Sequence, residues 1–142
     1  MPAIHHQVSI DAEPTPVFEA LTTLDGLCGW WTHTTSGGTD LGDSLEFRFG
    51  DHVTTMEIET LDDQQHVEWL CTGSHPQWRG TRVAFRLIPR GEKTTLRFDH
   101  RDWQEADDFF ALCSTKWATF LLSLKELVET GEGRPFPNDR AI

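Results

Sequence analysis

The apolar residues of this chain change their spacing near residue 105, and this change limits the folds that the chain can adopt. Between residues 44 and 101, apolar side chains such as Leu45, Phe47 and Phe49 alternate with polar ones. An alternation of period two predicts antiparallel strands with one covered face and one solvent-facing face. From about residue 106 to residue 130 the apolar side chains recur with helical spacing. The two periods together predict an antiparallel sheet covered by one long helix.

Strands and short helices can be assigned along the rest of the chain. Five strands are predicted within residues 44–101, separated by the turn sequences Gly50-Asp51, Asp62-Asp63, Gly73-Ser74 and Arg90-Gly91-Glu92. Another strand is predicted at residues 4–10 from the same alternation. Residues 12–31 have helical spacing that Asp25-Gly26 interrupts, which predicts two short helices. The predicted fold class is α+β: a curved antiparallel sheet of about six strands around a long C-terminal helix, with two short helices after the first strand.

The predicted long helix has one broad apolar face. Its members are Phe110, Cys113, Trp117, Phe120, Leu121, Leu124, Leu127 and Val128. At about 1.5 Å per residue the helix would be about 36 Å long. Asp107 and Asp108 favour its start through the helix dipole, and Gly131 and the prolines that follow end it.

Length and cysteine content set further limits. A chain of 142 residues corresponds to one domain, residues 1–142, which buries about 70 % of its unfolded surface. The N-terminus lacks the basic and apolar regions of a signal peptide, and no apolar stretch approaches the ~18 residues of a membrane span. The cysteines, Cys28, Cys71 and Cys113, are odd in number and widely spaced. A reducing cytoplasm is therefore predicted rather than a disulfide framework.

Charge and aromatic content favour a small apolar partner. The 23 acidic and 12 basic residues give a formal net charge of −11, which repels phosphate backbones and anionic lipid. Neither nucleic acid nor a membrane is a predicted partner. The chain has six Trp and nine Phe but no Tyr. Large rings without hydroxyl groups suit an apolar interior, which is either packed solid or wrapped around an apolar ligand.

No cofactor, metal site or catalytic residue is assigned. Cys71 and His75 lie four residues apart, but no CxxC or HExxH spacing accompanies them. Ser74 precedes His75 and Asp99 precedes His100, yet the chain has no GxSxG motif. Adjacent residues of this kind do not predict a hydrolase.

His100 has two interpretations. It shares the covered face of the last strand with Leu96 and Phe98. A histidine there is either a hydrogen-bonded core residue or, if it faces a cavity, a ligand contact or a general base. The strand pattern alone does not separate these alternatives.

The tryptophans also have two interpretations, core packing or a position at the edge of a cavity. Trp30 and Trp31 follow the second short helix, and neighbouring helical side chains diverge by about 100°, so we do not expect both rings to enter one core. The second ring either packs against a solid core or covers the opening of a cavity. Trp69 and Trp117 lie on inner faces, which core packing alone can explain, while Trp78 and Trp103 lie in loops or at strand ends, where a pocket-rim role is expected.

The order of elements and three stretches of sequence resemble the START-like, or SRPBCC, superfamily. The stretches are VFEALTTLDGLCGWW, LRFDHRDW and STKWATFLLSLKELVETGEGRPF. The likeness covers nearly the whole chain and is closest to bacterial proteins similar to the activator of heat-shock-protein ATPase and to polyketide cyclases. It implies a helix-grip fold with an elongated cavity for apolar ligands between the sheet and the long helix. It also implies that one of the rings of Trp30 and Trp31 lies inside and the other lies on the cavity rim.

The resulting hypothesis is a small-molecule binding protein with an apolar or lipid-like ligand. The predicted ligand-binding residues are Trp30, Trp31, Phe47, Trp69, Trp78, Phe85, Phe98, His100, Trp103, Phe110, Cys113 and Trp117. Two alternatives stay open: a cyclase- or hydratase-type enzyme that uses the same cavity, and a co-chaperone-like interaction module. Leu112 and Leu122 lie off the main apolar face of the long helix, and Leu70 points to the polar side of its strand, which raises a weak homodimer beside the monomer.

Overall fold

Seven strands and three helices follow one another in the computed structural model, which describes all of residues 1–142. In chain order they are β1 (Ile4–Ile10), α1 (Pro14–Thr22), α2 (Leu24–Trp30), β2 (Thr35–Gly37), β3 (Ser44–Phe49), β4 (His52–Asp62), β5 (His66–Gly73), β6 (Arg82–Arg90), β7 (Lys93–Arg101) and α3 (Asp108–Thr130). The α+β fold class, the two short helices and the long C-terminal helix are confirmed.

The strands form one antiparallel sheet in the order β1-β7-β6-β5-β4-β3-β2. Consecutive strands from β2 to β7 are neighbours, and β1 pairs with β7, where Ile4 lies opposite His100. The sheet has one strand more than the sequence predicts. That strand, β2, is three residues long, and Thr35 pairs with Phe47 of β3. Its sequence, Thr-Ser-Gly, has no alternation of apolar and polar residues and therefore does not predict a strand.

The limits of α3 follow from its capping residues. The Asp107 carboxylate accepts a hydrogen bond from the backbone N–H of Phe110 at 3.0 Å, which satisfies one of the free amides of the first turn. Asp108 lies in that turn, where a negative charge complements the helix dipole. Gly131 ends the helix with a φ of 89°, a left-handed conformation that favours glycine. None of the helices combines the length and the hydropathy that a membrane crossing needs.

The core lies between the inner face of the sheet and the three helices, and 26 buried residues form one hydrophobic cluster there. After α3 the chain turns back along the molecule as residues 132–142, here called the C-terminal segment. The backbone N–H of Phe136 donates to the Trp31 carbonyl at 2.8 Å, and the Phe136 carbonyl accepts from His33 at 3.2 Å. The buried Ser123 hydroxyl accepts from the Arg134 amide at 2.7 Å. These bonds hold the C-terminal segment against α2 and α3.

Candidate functional site

Both tryptophans after α2 are buried, so neither ring is exposed on a rim, although Trp31 borders the cleft described below. Trp30 is 0 % exposed and Trp31 is 2 % exposed. Their rings stack with centroids 6.0 Å apart and planes at 14°. Trp30 is the last residue of α2 and Trp31 caps it, with a φ of −102° and a ψ of −72°. The assumption of two regular helical positions, diverging by about 100°, does not hold where the chain leaves the helix.

Aromatic rings fill the space between the middle of the sheet and α3. Trp31 lies 4.2 Å from Phe47, and Trp117 lies 4.7 Å from Phe98, measured between ring centroids. The centroid of Trp69 is 5.2 Å from that of Phe85. All six side chains are 2 % exposed or less. Tilted and edge-to-face pairs at such distances are favourable contacts, so this part of the molecule is a solid core.

A cleft of about 580 Å³ opens beside that core, at the end of the sheet nearer the C-terminal segment. Five structural parts contribute to it: the end of α2, the first half of α3, the β3–β4 hairpin, the loop between β5 and β6, and the C-terminal segment. The lining residues are Trp31, Phe49, His52, Thr54, Ser74, His75, Trp78, Phe109, Cys113, Lys116, Trp117, Phe120, Phe136, Pro137, Asp139 and Ala141. Below, "the cleft" refers to this set.

Four of the predicted ligand-binding residues line the cleft: Trp31, Trp78, Cys113 and Trp117. The structure places the other eight outside the lining: Trp30, Phe47, Trp69, Phe85, Phe98, His100, Trp103 and Phe110. Seven of these eight are fully buried, and Phe110 is half-buried with its ring edge-on to Trp103 at 5.1 Å. The expected rim position of Trp103 is wrong, because this side chain is 0 % exposed.

His100 is a hydrogen-bonded core histidine in this structure. The indole Nε1 of Trp117 is 3.0 Å from His100 Nδ1, and an indole nitrogen can only donate. The imidazole hydrogen therefore lies on Nε2, which donates to the Thr81 hydroxyl at 2.8 Å. That hydroxyl donates in turn to the Trp78 carbonyl. Burial lowers the pKa of His100 to about 3, so the ring is neutral at physiological pH.

The cysteines of the inner face are protonated thiols. Burial raises the pKa of Cys71 to about 11 and also raises the pKa of Cys113. In the cleft wall, Trp78 Nε1 donates to Cys113 Sγ at 3.4 Å. The Trp78 ring stacks on Trp117 with centroids 5.9 Å apart and planes at 14°. No group of three or more His, Cys, Asp and Glu side chains converges in a way that could hold a metal ion.

The polar side of the cleft carries hydrogen-bond donors. His75 Nδ1 accepts from the Gln77 backbone N–H at 3.2 Å, so Nε2 carries the hydrogen of the neutral ring. The same ring stacks on Phe109 with centroids 4.1 Å apart. The hydroxyls of Thr54 and Ser74 lie 2.9 Å apart and bond to each other.

Lys116 joins α3 to the C-terminal segment at the cleft wall. Its Nζ donates to the Arg140 carbonyl at 2.7 Å and forms an ion pair with the Asp139 carboxylate. The same ammonium lies 5.4 Å from the centroid of the Phe120 ring. The Asp139 side chain is only 9 % exposed.

Several lining residues are not among those predicted from the sequence, for two different reasons. Phe109, Lys116 and Phe120 lie on one face of α3 with Cys113 and Trp117, because the spacing 109, 113, 116, 117, 120 follows helical periodicity. This spacing could have identified them. The C-terminal segment has no such signal, since its place depends on hydrogen bonds to distant residues such as Trp31.

Comparisons with known proteins give the same fold and a family. The sequence profile of the family described as Activator of Hsp90 ATPase homolog 1-like protein matches residues 11–129. The solution structure of the Aha1 dimer from Colwellia psychrerythraea is similar at 41 % identity, with 94 % of this chain and 100 % of that chain covered and a TM-score of 0.86. No curated protein sequence matches.

Two more distant structures support the fold alone. SSP2350 from Staphylococcus saprophyticus has 20 % identity and a TM-score of 0.77, over 93 % of this chain and 95 % of that chain. CalU16 from Micromonospora echinospora has 17 % identity and a TM-score of 0.77, over 92 % of this chain and 75 % of that chain.

Proposed function

Since the chain belongs to the family described as Activator of Hsp90 ATPase homolog 1-like protein, we propose that it binds an apolar, ring-bearing small molecule in the cleft. The observation that carries this proposal is the wall of aromatic side chains around a space of about 580 Å³. Ligand sites of small molecules commonly have volumes of about 300–1,000 Å³ and mostly apolar linings. Trp31, Trp78 and Trp117 would contact the ligand, together with Phe109 and Phe120.

The cleft supports binding better than cyclase- or hydratase-type catalysis. A general base needs a free nitrogen or oxygen within reach of the substrate. Both ring nitrogens of His100 are already engaged, by Trp117 and Thr81, and the ring lies outside the cleft lining. The Cys113 thiol is protonated because burial raises its pKa. Neither His100 nor Cys113 is therefore available as a general base, and the proposal rests on the shape and the aromatic wall of the cleft.

Phe109 and Phe110 offer a matched pair for the test. They are adjacent on α3 and both half-buried, but only Phe109 lines the cleft. The measurement is a titration with the neutral fluorescent probe N-phenyl-1-naphthylamine, which follows probe emission and tryptophan quenching. We expect one saturable site and a loss of affinity of about fivefold in Phe109→Ala, since a ring contact of about 1 kcal/mol is removed.

Phe110→Ala should leave the dissociation constant within about twofold of the wild-type value, because Phe110 packs on Trp103 and does not line the cleft. No saturable binding to the wild-type protein would contradict the proposal. Equal loss in both variants would show that the probe reports destabilisation rather than contact with the cleft.

We also propose that the chain forms a homodimer and works in a reducing compartment such as the cytoplasm. The relative from Colwellia psychrerythraea, 41 % identical, is a dimer. Leu112 and Leu122 of α3 are 52 % and 51 % exposed, which supplies apolar surface for self-association. Cys28, Cys71 and Cys113 are all unpaired thiols, which suits a reducing environment.

The family's description raises contact with a chaperone as a second candidate function. Such a role would need a continuous apolar or charged surface. The exposed large apolar residues are Met1, Leu41, Leu112, Leu122 and Ile142, and they belong to four separate parts of the chain. The cleft is a better-defined site than these separate apolar residues, so small-molecule binding remains the proposal.

A further inference from the structure

Lys116 is the only lysine or arginine among the residues that line the cleft. Its side chain is 31 % exposed, and its ammonium group lies where the aromatic wall of α3 meets the C-terminal segment. An ammonium group has three N–H donors. Two acceptors in the protein engage it, the Arg140 carbonyl and the Asp139 carboxylate. One donor therefore remains for a further acceptor.

The other polar groups of the cleft also favour an acceptor-bearing ligand. His75 presents Nε2 as a donor, because its Nδ1 is occupied by the Gln77 amide. Asp139 supplies the only carboxylate of the lining, and that carboxylate is already paired with Lys116. A ligand amine would have to compete with Lys116 for Asp139, whereas a ligand oxygen finds donors that are available.

The end of the C-terminal segment can exchange with such a ligand. Up to Phe136 the segment is held by backbone hydrogen bonds to Trp31 and His33. Beyond residue 138, the two contacts of Lys116, to Asp139 and to the Arg140 carbonyl, are the side-chain bonds that fasten it to α3. Releasing Lys116 from both Asp139 and the Arg140 carbonyl therefore frees only the last few residues, and the hydrogen bonds of Phe136 to Trp31 and His33 stay in place.

Resting on the proposed binding function, we infer that the cleft is a site for an aromatic carboxylic acid. The ring system lies among Trp78, Trp117 and Phe109, and the carboxylate binds the Lys116 ammonium in place of Asp139. One carboxylate replaces another on the same cation, so no buried charge is left unpaired. The Asp139 carboxylate moves into water as the final residues of the C-terminal segment swing away.

Two probes that differ only in their polar end test this inference. 1-Pyrenebutyrate and 1-pyrenebutanol carry the same rings and chain, and the acid is ionised at pH 7.5. Fluorescence titrations should give about tenfold tighter binding of the acid to the wild-type protein, because only the acid can offer Lys116 a carboxylate in place of that of Asp139. The preference should fall as salt is raised, because part of it is an ion pair near the surface.

Variants of Lys116 and Asp139 distinguish a direct contact with the ligand carboxylate from a general effect of charge. Lys116→Met should remove the preference for the acid, so that the acid and the alcohol bind this variant with dissociation constants within about twofold of each other. Lys116→Gln is the second variant if the methionine perturbs folding. Lys125→Met is the control, because Lys125 lies on the same helix but outside the cleft, paired with Glu129 at 2.7 Å. Asp139→Asn should tighten the acid severalfold, since its competitor is gone, without a matching gain for the alcohol.

The outcomes distinguish this inference from the function on which it rests. Equal binding of the two pyrene probes, or an acid preference that survives in Lys116→Met, would overturn the inference while small-molecule binding stands. Weaker acid binding in Asp139→Asn would overturn the exchange of carboxylates. Binding of neither probe to the wild-type protein would contradict the proposed function itself.

Discussion

The indole of Trp117 on α3 donates a hydrogen bond to Nδ1 of His100 on β7 at 3.0 Å, and both side chains are buried. The two residues come from opposite layers of the fold, so this bond fastens the long helix to the sheet. It also sets the tautomer of His100, whose Nε2 then donates to Thr81. Because one side of the Trp117 ring lines the cleft, the bond orients a wall of the candidate site.

The burial of His100 predicts a loss of stability in acid. The folded-state pKa is about 3 and the ordinary value is 6.5, so between these values the unfolded chain binds more protons than the folded one. The stabilising effect of the neutral ring is complete above pH 6.5 and is lost as the pH falls toward 3. We expect the free energy of unfolding to fall by about 1.4 kcal/mol per pH unit in that range from this group.

Urea denaturation at pH 7.0, 6.0, 5.0 and 4.5 would measure this slope. His100→Gln should be less stable at pH 7 but should show a flatter decline toward pH 4.5, since the titrating ring is gone. His5→Gln provides a control at a solvent-exposed position of β1 and should retain the wild-type slope. An unchanged slope in His100→Gln would show that other groups cause the acid sensitivity.

Two substitutions of Trp117 should separate the contribution of its hydrogen bond to stability from the contribution of its volume. Trp117→Phe keeps a ring on the inner face of α3 but leaves Nδ1 of the buried His100 without a donor, which costs about 1–3 kcal/mol. Trp117→Ala also creates a cavity and should cost about 3–5 kcal/mol. Denaturation curves measure both values, and probe binding must be measured separately on the folded variants.

Thr119→Ala is the control on the same helix, where the hydroxyl bonds only to the Lys116 carbonyl of the preceding turn. It should change stability by no more than about 0.5 kcal/mol and leave probe binding unchanged. A Trp117→Phe variant as stable as the wild type would mean that the hydrogen bond to His100 adds nothing net to the fold.

Ser123 should be the main attachment of the C-terminal segment to α3. Its buried hydroxyl donates to the Trp30 carbonyl at 2.8 Å and accepts from the Arg134 amide at 2.7 Å. Ser123→Ala leaves both backbone groups without this partner and should cost about 1–3 kcal/mol. The matched change Thr115→Ala, at an exposed position of α3, should have little effect.

Hydrogen exchange gives a local readout of the same change. The Arg134 amide should exchange faster in Ser123→Ala, because the hydroxyl that accepts its hydrogen bond is removed. The exchange rates of amides in the middle of β6 should change only as much as the global stability of the variant changes. Unchanged protection at Arg134 would show that other contacts hold the segment.

The proposed homodimer predicts a specific effect of surface charge on α3. Introducing Leu112→Glu and Leu122→Glu together should shift the protein to the monomer, since the exposed leucines would be the apolar contact between copies. Light scattering coupled to size-exclusion chromatography measures the mass. Leu41→Glu, at a position 63 % exposed and outside α3, should leave the wild-type mass unchanged. A wild-type protein that is monomeric at high concentration would contradict the dimer.

Much of the fold could be predicted because the spacing of apolar residues records which face of each element is buried. The alternation through β3 to β7 and the helical spacing of α3 are local properties of the chain, and the structure confirms both. Asp107 and Asp108 were expected at the start of α3 because of the helix dipole, and the structure shows in addition that the Asp107 side chain caps the helix. The short strand β2 escaped prediction because its residues form a strand only through pairing with β3.

The sequence alone determined that large rings without hydroxyl groups would lie between sheet and helix. The tertiary structure decided which rings pack against one another and which face the cleft. Phe109 lines the cleft while Phe110 packs on Trp103, and only the rotation of α3 against the sheet separates these neighbours. Lys116 likewise gains its role from the returning C-terminal segment, which is positioned by hydrogen bonds to residues such as Trp31, about a hundred positions earlier. The periodicity of apolar residues shows which face of one helix or strand is buried. A cleft forms where several elements do not pack fully against one another, and no local sequence pattern encodes their relative positions.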